Sequence, residues 1–357
     1  MITFDRKQLA TELALLQSVL EVKTTMPILA YVKIEAENGN AILTATNISA
    51  TMIVSLPCDG EFTGCVELKP LTALIRLFSG DEVKMEHKGS RCEIRNGRSV
   101  HKLPLQETDQ FPTVDEVQGE SFSVNTSLLL AAIEHVLPCA DRHEGRYNTQ
   151  GVCVDASEGE LNVIALDGIH MGVSRISDSN LSFKVLLPVP AADALTSILD
   201  DVEESTLTVG ATVQVECGHR KLLARLATGE FPPWRMLIPK NHDHEVTTNE
   251  EIAAAIKRCS VSASAGSMVR KRLILDFKRD SLTVRNYETD NESSEDVTVG
   301  CPTLNGDTLS IKVNADQFLM ALSNLPSAKL SFKDSTTAMM FTAEDRYYVQ
   351  MPLRLDK

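Results

Sequence analysis

Hydrophobic and polar positions along the 357-residue chain follow a pattern that returns about every 120 residues. Each stretch holds an amphipathic segment at helical spacing, alternating strand-like runs, a second amphipathic segment and closing strands. In the first stretch Leu9, Leu13, Leu16 and Leu20 share one face, with Arg6, Lys7, Glu12 and Gln17 off it. Leu71, Leu74, Ile75 and Phe78 repeat the pattern, with Pro70 suited to a first helical turn. The second stretch offers Leu129, Ile133, Val136 and Leu137, then Leu195, Ile198 and Leu199. The third offers Ile252, Ala255, Ile256 and Cys259, then Phe318, Leu319, Leu322 and Leu325. Asn125, Thr248 and Asn314 stand where short side chains cap free backbone N–H groups.

Between these segments run Ala41-Ile42-Leu43-Thr44, Leu161-Asn162-Val163-Ile164 and Ser281-Leu282-Thr283-Val284. Thr44 to Val163 is 119 positions and Val163 to Thr283 is 120, and the pairs Phe111-Pro112 and Phe231-Pro232 are also 120 apart. A period this long is a whole domain, not a solenoid unit. Glu37-Asn38-Gly39-Asn40, Ser157-Glu158-Gly159-Glu160, Lys278-Arg279-Asp280 and Cys217-Gly218-His219 read as hairpin turns. Two helices and many strands per repeat, without βαβ alternation, predict α+β domains with helices packed on antiparallel sheet. The expected domains are 1–118, 119–242 and 243–357, divided in polar stretches that follow the Phe-Pro segments.

Charge narrows the function. The formal net charge is −14, divided as −4, −7 and −3 over the three domains, so none is a basic nucleic-acid module. Tight phosphate binding works by counterion release from clustered Lys and Arg. Enclosing DNA without gripping it remains open. Eight cysteines without a C-x-x-C pair read as reduced buried thiols in the cytoplasm. No apolar run approaches the roughly 18 residues that span a bilayer, and no signal peptide is expected. His242-Asp243-His244 lacks a third ligand nearby, so no metal and no cofactor are expected. No nucleotide-binding or hydrolase motif occurs, and nothing sets a nucleophile beside a base.

The chain resembles the bacterial DNA polymerase III β subunit, the replicative sliding clamp family. The resemblance rests on the three repeats, Met26-Pro27-Ile28-Leu29, and Ala165-Leu166-Asp167-Gly168. It continues in Phe231-Pro232-Pro233-Trp234-Arg235, Ile238-Pro239-Lys240 and Met351-Pro352-Leu353-Arg354-Leu355. It implies three tandem clamp domains forming half of a ring. Two subunits would close head to tail, with helices lining the hole and sheets outside. Duplex DNA is then enclosed without sequence preference, while a replicative polymerase subunit, a clamp loader and other proteins dock through short peptides. No reaction would be catalysed, and no membrane would be involved.

The resemblance also places residues. Lys23, Arg142, His143, Arg146 and Tyr147 match DNA-contacting positions, and Arg6, Lys7, Arg76, Lys257 and Arg258 lie on or beside helices expected to face the hole. Exposed Lys and Arg beside an apolar stripe also suit an ordinary solvated helix face. The peptide groove maps to Thr149, Leu166, Gly168, Ile169, His170, Met171, Pro232, Met236, Leu237, Val349, Met351, Pro352, Leu353, Arg354 and Leu355. His101 and Leu103, opposite Ser262 and Ala263, map to the dimer contact, where Glu292 and Glu295 would meet basic groups around Lys69.

This chain departs from the family pattern in the groove and on one helix. It reads Leu166-Asp167-Gly168-Ile169-His170-Met171 where the family usually has Thr-Asp-Gly-His-Arg-Leu, and Met236 replaces a common arginine. The helix around residues 191–199 carries Asp193 and no basic residue. These departures leave open a specialised or second-copy clamp that acts as an acidic scaffold without encircling DNA. An enzyme with a site split among the repeats is the other competing class.

Overall fold

The structure is a computed structural model. It describes the chain except residues 21–25, 114–116, 143–148, 200–201, 264–270, 287–291, 305, 307 and 355–357, and the side chains of 262 and 263. Six helices are described: α1 (Arg6–Leu16), α2 (Leu68–Leu77), α3 (Thr126–Val136), α4 (Val189–Ile198), α5 (Glu250–Ala263) and α6 (Ala315–Asn324). A short strand precedes α1, α3 and α5, and three further strands follow each of them, with the two-residue strand Asp59–Gly60 added after α1. Another strand then leads into α2, α4 or α6, and three more follow. Every recorded strand pairing is antiparallel. The chain groups into two compact units, one of Met1–Ala131 with Leu187–Leu226, the other of Ala132–Leu186 with Ala227–Lys357.

Local chemistry sets the helix ends. The Asp5 carboxylate accepts from the Gln8 N–H at 2.9 Å and starts α1. Asn314 Oδ1 accepts from Asp316 and Gln317 and starts α6. Asn125 likewise takes the Leu128 N–H. At α5 the cap is Asn249, which accepts from Ile252, while the Thr248 hydroxyl donates to Ala328 O at 2.9 Å. The expected Thr248 cap therefore moves by one residue, because the buried threonine is claimed by a neighbouring carbonyl.

The first unit carries a 13-stranded sheet. On α1, Leu9, Leu13 and Leu16 are buried, and so is Glu12. Arg220 meets both Glu12 oxygens at 2.8 and 3.0 Å, and His219 Nε2 lies 3.2 Å away. A buried carboxylate is tolerated when paired and hydrogen-bonded in this way. Within this sheet the strand Ala50–Pro57 pairs with Arg220–Arg225, with Thr51 opposite Leu223.

The second unit carries an eight-stranded and a four-stranded sheet. Here His170–Asp178 pairs with Arg346–Gln350, with Met171 opposite Val349. The Tyr348 hydroxyl donates to His135 O and accepts from Asn324 Nδ2 at 2.9 Å. The His135 ring sits 4.3 Å from that of Tyr348 and is buried.

The same turn occurs in both units. Asn47 Oδ1 accepts from the N–H groups of Ser49 and Ala50 at 3.0 and 2.7 Å, and Asp167 Oδ1 accepts from those of Ile169 and His170 at 2.8 and 2.9 Å. The residue after each has positive φ, 75° at Ile48 and 87° at Gly168. Glycine adopts this freely, whereas a β-branched residue is strained there.

Burial pushes the His135 imidazole down from 6.5 to about 4, partly offset by its contact with Tyr347 O. An unfolded histidine takes a proton near pH 6.5 and the folded one only near pH 4. Between those values the unfolded chain binds more protons, so stability falls as pH falls, by about 2 kcal/mol at pH 5 from this residue. Chemical denaturation from pH 7 to pH 5 should show a shallower loss in His135→Gln than in the parent. Equal slopes would mean His135 is solvated or protonated when folded.

Candidate partner groove, basic residues and closing edges

The candidate groove residues surround the second unit's core, where Cys153, Ile164, Leu166, Met171, Val173, Leu186, Phe231, Trp234 and Val349 pack together. The Asp167 turn joins two of its strands. Burial raises the Asp167 carboxyl, but hydrogen bonds from His170 and from the N–H groups of Ile169 and His170 hold it below its ordinary value. His170 Nδ1 lies 2.8 Å from Asp167 Oδ1 and the ring is 9% exposed, so the imidazole faces its own turn. The backbone continues the site: the Met351 N–H donates to Ile169 O at 2.8 Å and the Leu353 N–H to Lys312 O at 2.7 Å.

A second anchor holds the short turn Trp234–Leu237. Trp234 Nε1 donates to Asp155 Oδ2 at 2.7 Å, and Arg235 Nη1 reaches the same oxygen at 3.1 Å. The Arg235 guanidinium lies 4.3 Å over the Trp234 ring. Burial raises the Asp155 carboxyl, yet donors on Ser157 and Trp234 and the nearby Arg235 charge keep it low, so it stays ionised under this tryptophan. With Trp234 locked inward, Met236 is 78% exposed and Leu237 49% exposed. A cavity of about 530 Å³ opens beside this anchor, lined by Ala156, Phe183, Lys184, Pro233, Trp234 and Met236 among others.

The sequence-predicted groove residues therefore divide by depth. Leu166, Met171 and Val349 are buried in the core cluster, and Thr149 is buried with its hydroxyl donating to Asp141 at 3.2 Å. Ile169, His170, Pro232, Pro352 and Leu353 are half-buried; Gly168, Met236, Leu237, Met351 and Arg354 are exposed. Leu355 lies outside the described residues.

The basic residues divide too. Lys7, Arg76, Arg142 and Lys257 are exposed, and Arg6 is half-buried with its Nε enclosed. Arg258 is held by Glu295 at 2.6 Å, which removes much of its free charge and occupies the carboxylate expected to meet a partner. Lys23, His143, Arg146 and Tyr147 lie outside the described residues.

Ser99–Gln106 and Ser294–Val297 are among the strands that keep an unpaired edge among the described residues, as do sheet-end strands such as Gly119–Asn125, His244–Thr247 and Leu309–Asn314. Ser99–Gln106 pairs along its length with Arg91–Asn96, but on its other side only Leu105 and Gln106 are paired. Ser294–Val297 pairs only with Leu282–Asn286. His101 and Leu103 lie on the first of these, with the His101 ring 5.7 Å from that of Phe78. Exposed apolar residues missed in the sequence reading stand nearby in the chain: Leu77 at 84%, Val100 at 48% and, on the last turn of α5, Val261 at 72%. The side chains of Ser262 and Ala263 lie outside the described residues. No group of three His, Cys, Asp or Glu among the described residues is placed to hold a metal. No described helix is long and apolar enough to cross a membrane.

Known proteins share this architecture. The DNA polymerase III β subunit of Thermotoga maritima superposes with a TM-score of 0.91 over 99% of both chains at 21% identity. A sliding clamp from Pseudomonas aeruginosa bound to griselimycin matches at 0.91 and 22% identity, again over 99% of each chain. The fold is that of a polymerase sliding clamp. In sequence, residues 1–115 match the family described as DNA polymerase III beta subunit, N-terminal domain. The beta sliding clamp of Haemophilus influenzae is 25% identical over 99% of this chain and 99% of its own. The chain is thus similar to DNA polymerase III β subunits along its whole length.

The depth of the groove residues has a direct consequence. Met171→Ala empties part of a packed core and should lower unfolding free energy by about 2–5 kcal/mol. Met236→Ala and Met351→Ala change exposed side chains and should stay within about 0.5 kcal/mol of the parent. Urea unfolding of the three variants checks this, and a fully stable Met171→Ala would mean that Met171 projects into solvent.

Proposed function

We infer that the chain is a DNA sliding clamp: two copies close head to tail around duplex DNA, and the groove of the second unit tethers replication and repair proteins. The observation that carries this is full-length similarity to beta sliding clamps on a matching fold. The strand pattern supports ring closure. Arg220–Arg225 pairs with Ala50–Pro57, and Arg346–Gln350 with His170–Asp178. Each pairing joins the last strand of one repeat to the third strand after the first helix of the preceding repeat. The strands left over in that scheme are Ser99–Gln106 and Ser294–Val297, each with a free edge among the described residues. Two copies would satisfy both edges at once, as a closed symmetric assembly requires. Leu77, Val100, His101 and Leu103 would meet the end of α5 at Val261, Ser262 and Ala263.

Retention then comes from topology. With a net charge of −14, counterion release cannot hold the protein tightly on DNA. Arg6, Lys7, Arg76, Lys257 and the residues of the 142–147 segment centre the duplex weakly, as does Lys23. An acidic exterior discourages binding on the wrong side. The protein works in the cytoplasm, binds no cofactor and catalyses nothing itself. Its partners are a replicative polymerase subunit, a clamp loader and other proteins that present a short peptide to the groove. Domains 1–118, 119–242 and 243–357 each supply one third of a half-ring.

Sedimentation at micromolar concentration should give a dimer, and Val261→Asp with Leu103→Asp should give a monomer. Only monomer in the parent would favour the acidic-scaffold alternative over the ring. Loaded onto nicked circular DNA by a matched clamp loader, the protein should survive a high-salt wash and leave once the DNA is linearised. Equal retention on linear and circular DNA would contradict enclosure.

The groove makes a separate expectation. A labelled peptide Gly-Ser-Leu-Ser-Leu-Phe should bind the parent and lose about 1–3 kcal/mol of affinity in Met351→Asp or Met236→Asp, the scale of an apolar anchor losing its pocket. Fluorescence anisotropy measures it, and unchanged affinity would place the partner site elsewhere.

A further inference from the structure

The first unit contains a cavity of about 320 Å³ at the positions that correspond, repeat for repeat, to the groove of the second unit. Ile48, Ser49 and Thr51 line it after the Asn47 turn, as Gly168, Ile169 and Met171 follow the Asp167 turn. The Arg225 N–H donates to Ser49 O at 2.8 Å, and the Met351 N–H donates to Ile169 O at the same distance, 2.8 Å. Thr51 faces Leu223 across its strand pair as Met171 faces Val349. Further along, Asn47 N–H bonds Ala50 O at 3.0 Å and Asp167 N–H bonds His170 O at 3.1 Å. Ser55 N–H bonds His219 O and Arg175 N–H bonds Asp345 O, both at 2.9 Å. The cavity and the second unit's candidate groove thus stand on one backbone design.

Their side chains differ in kind. Where the second unit has Ile169, Met171 and Met351, this cavity has Ser49, Thr51 and Arg225. Val117 and Leu223 keep an apolar floor at the positions of Leu237 and Val349. No Asp or Glu is among the described lining residues. Arg225 makes no ion pair with any described residue, in a chain whose net charge is −14. A guanidinium with no ion pair among the described residues, beside hydroxyls and above a small apolar floor, suits a carboxylate carried next to one aliphatic side chain; Asp115 and Glu116 lie outside the described residues. Paired Leu and Phe anchors suit it poorly, because two of the thioethers that would adapt to them are absent.

We propose that this cavity is a second peptide-docking site, for an extended acidic segment of a partner protein that sets one aliphatic side chain against Leu223 and Val117 and a carboxylate on Arg225. It rests on the reading of the second-unit groove as a peptide site. A partner holding both kinds of segment would gain by effective concentration, without a stronger single contact.

The test uses the full-length protein and two labelled peptides, Gly-Ser-Leu-Asp-Glu-Gly and its uncharged twin Gly-Ser-Leu-Asn-Gln-Gly, titrated by fluorescence anisotropy. The acidic peptide should bind about tenfold more tightly than its twin, and Arg225→Gln should erase the difference. Ser49→Trp, which fills the cavity from an exposed position, should weaken the acidic peptide to a similar extent, whereas Met351→Asp should leave it unchanged. Equal binding of the two peptides, or loss in Met351→Asp but not in Arg225→Gln, would overturn the proposal. A Ser49→Trp protein that sediments as a smaller species would overturn it in favour of a second copy of the chain as occupant. Gly-Ser-Leu-Ser-Leu-Phe is run in parallel. If it fails to bind while the acidic peptide still requires Arg225, the second-unit reading falls and this one stands.

Discussion

Everything in this molecule depends on pairing strand edges between successive repeats. An exposed strand edge is a row of unsatisfied N–H and C=O groups, and a protein must cover it, blunt it or use it. Here the edges are used. The Asn47 and Asp167 turns end one strand and begin the next so that Ser49 O and Ile169 O are left pointing outward. The backbone N–H groups of Arg225 and Met351 fill those positions. The turn needs a short acceptor side chain and a residue that tolerates positive φ, and both copies supply them, one with Gly168 and one with the strained Ile48. Because pairing extends each sheet past its own repeat, compact units of the chain need not coincide with repeats.

Electrostatics follows a different logic from a gripping DNA-binding domain. Basic residues on the helices are few and separated, and one of the most exposed, Arg258, is already engaged by Glu295. Buried charges are held inside networks: Glu12 by Arg220 and His219, Asp155 by Trp234 and Arg235. Each fixes a connection that periodicity alone cannot set. The Asp155 pair is the clearer case, since it turns Trp234 inward and thereby leaves Met236 outside. A shallow apolar surface is then carried by a rigid support.

Much of the fold was legible in the chain itself. The stripes at Leu9-Leu13-Leu16 and Phe318-Leu322 are helical faces, and Asn38-Gly39 and Glu158-Gly159 turn hairpins with positive φ at both residues. Periodicity works there because burial is periodic. It is silent on depth, which is why Met171 and Met236 stood side by side as groove residues although one is 3% and the other 78% exposed. It also passed over Leu77 and Val261, because an apolar residue next to a stripe looks like its margin until the packing shows it facing outward. The cap of α5 was misplaced for a related reason: Thr248 and Asn249 are both competent acceptors, and only the distant Ala328 carbonyl decides between them.

The Asn47 and Asp167 turns and the strand pairs beside them show how repetition separates what can vary from what cannot. Backbone hydrogen bonds of the turn and of the strand pair recur within about 0.3 Å, because a shifted register would expose a whole strand face. Leu223 and Val349 occupy corresponding positions and both are buried, since each also closes its local core, while Val117 and Leu237 keep apolar character at the more exposed positions beside them. The solvent-facing rim carries neither obligation. Replacing Met351 by an arginine at the corresponding position disturbs no ladder and no packed residue, so recognition chemistry there is free to change. Selection for a different partner can act on that rim while edge pairing holds the scaffold still.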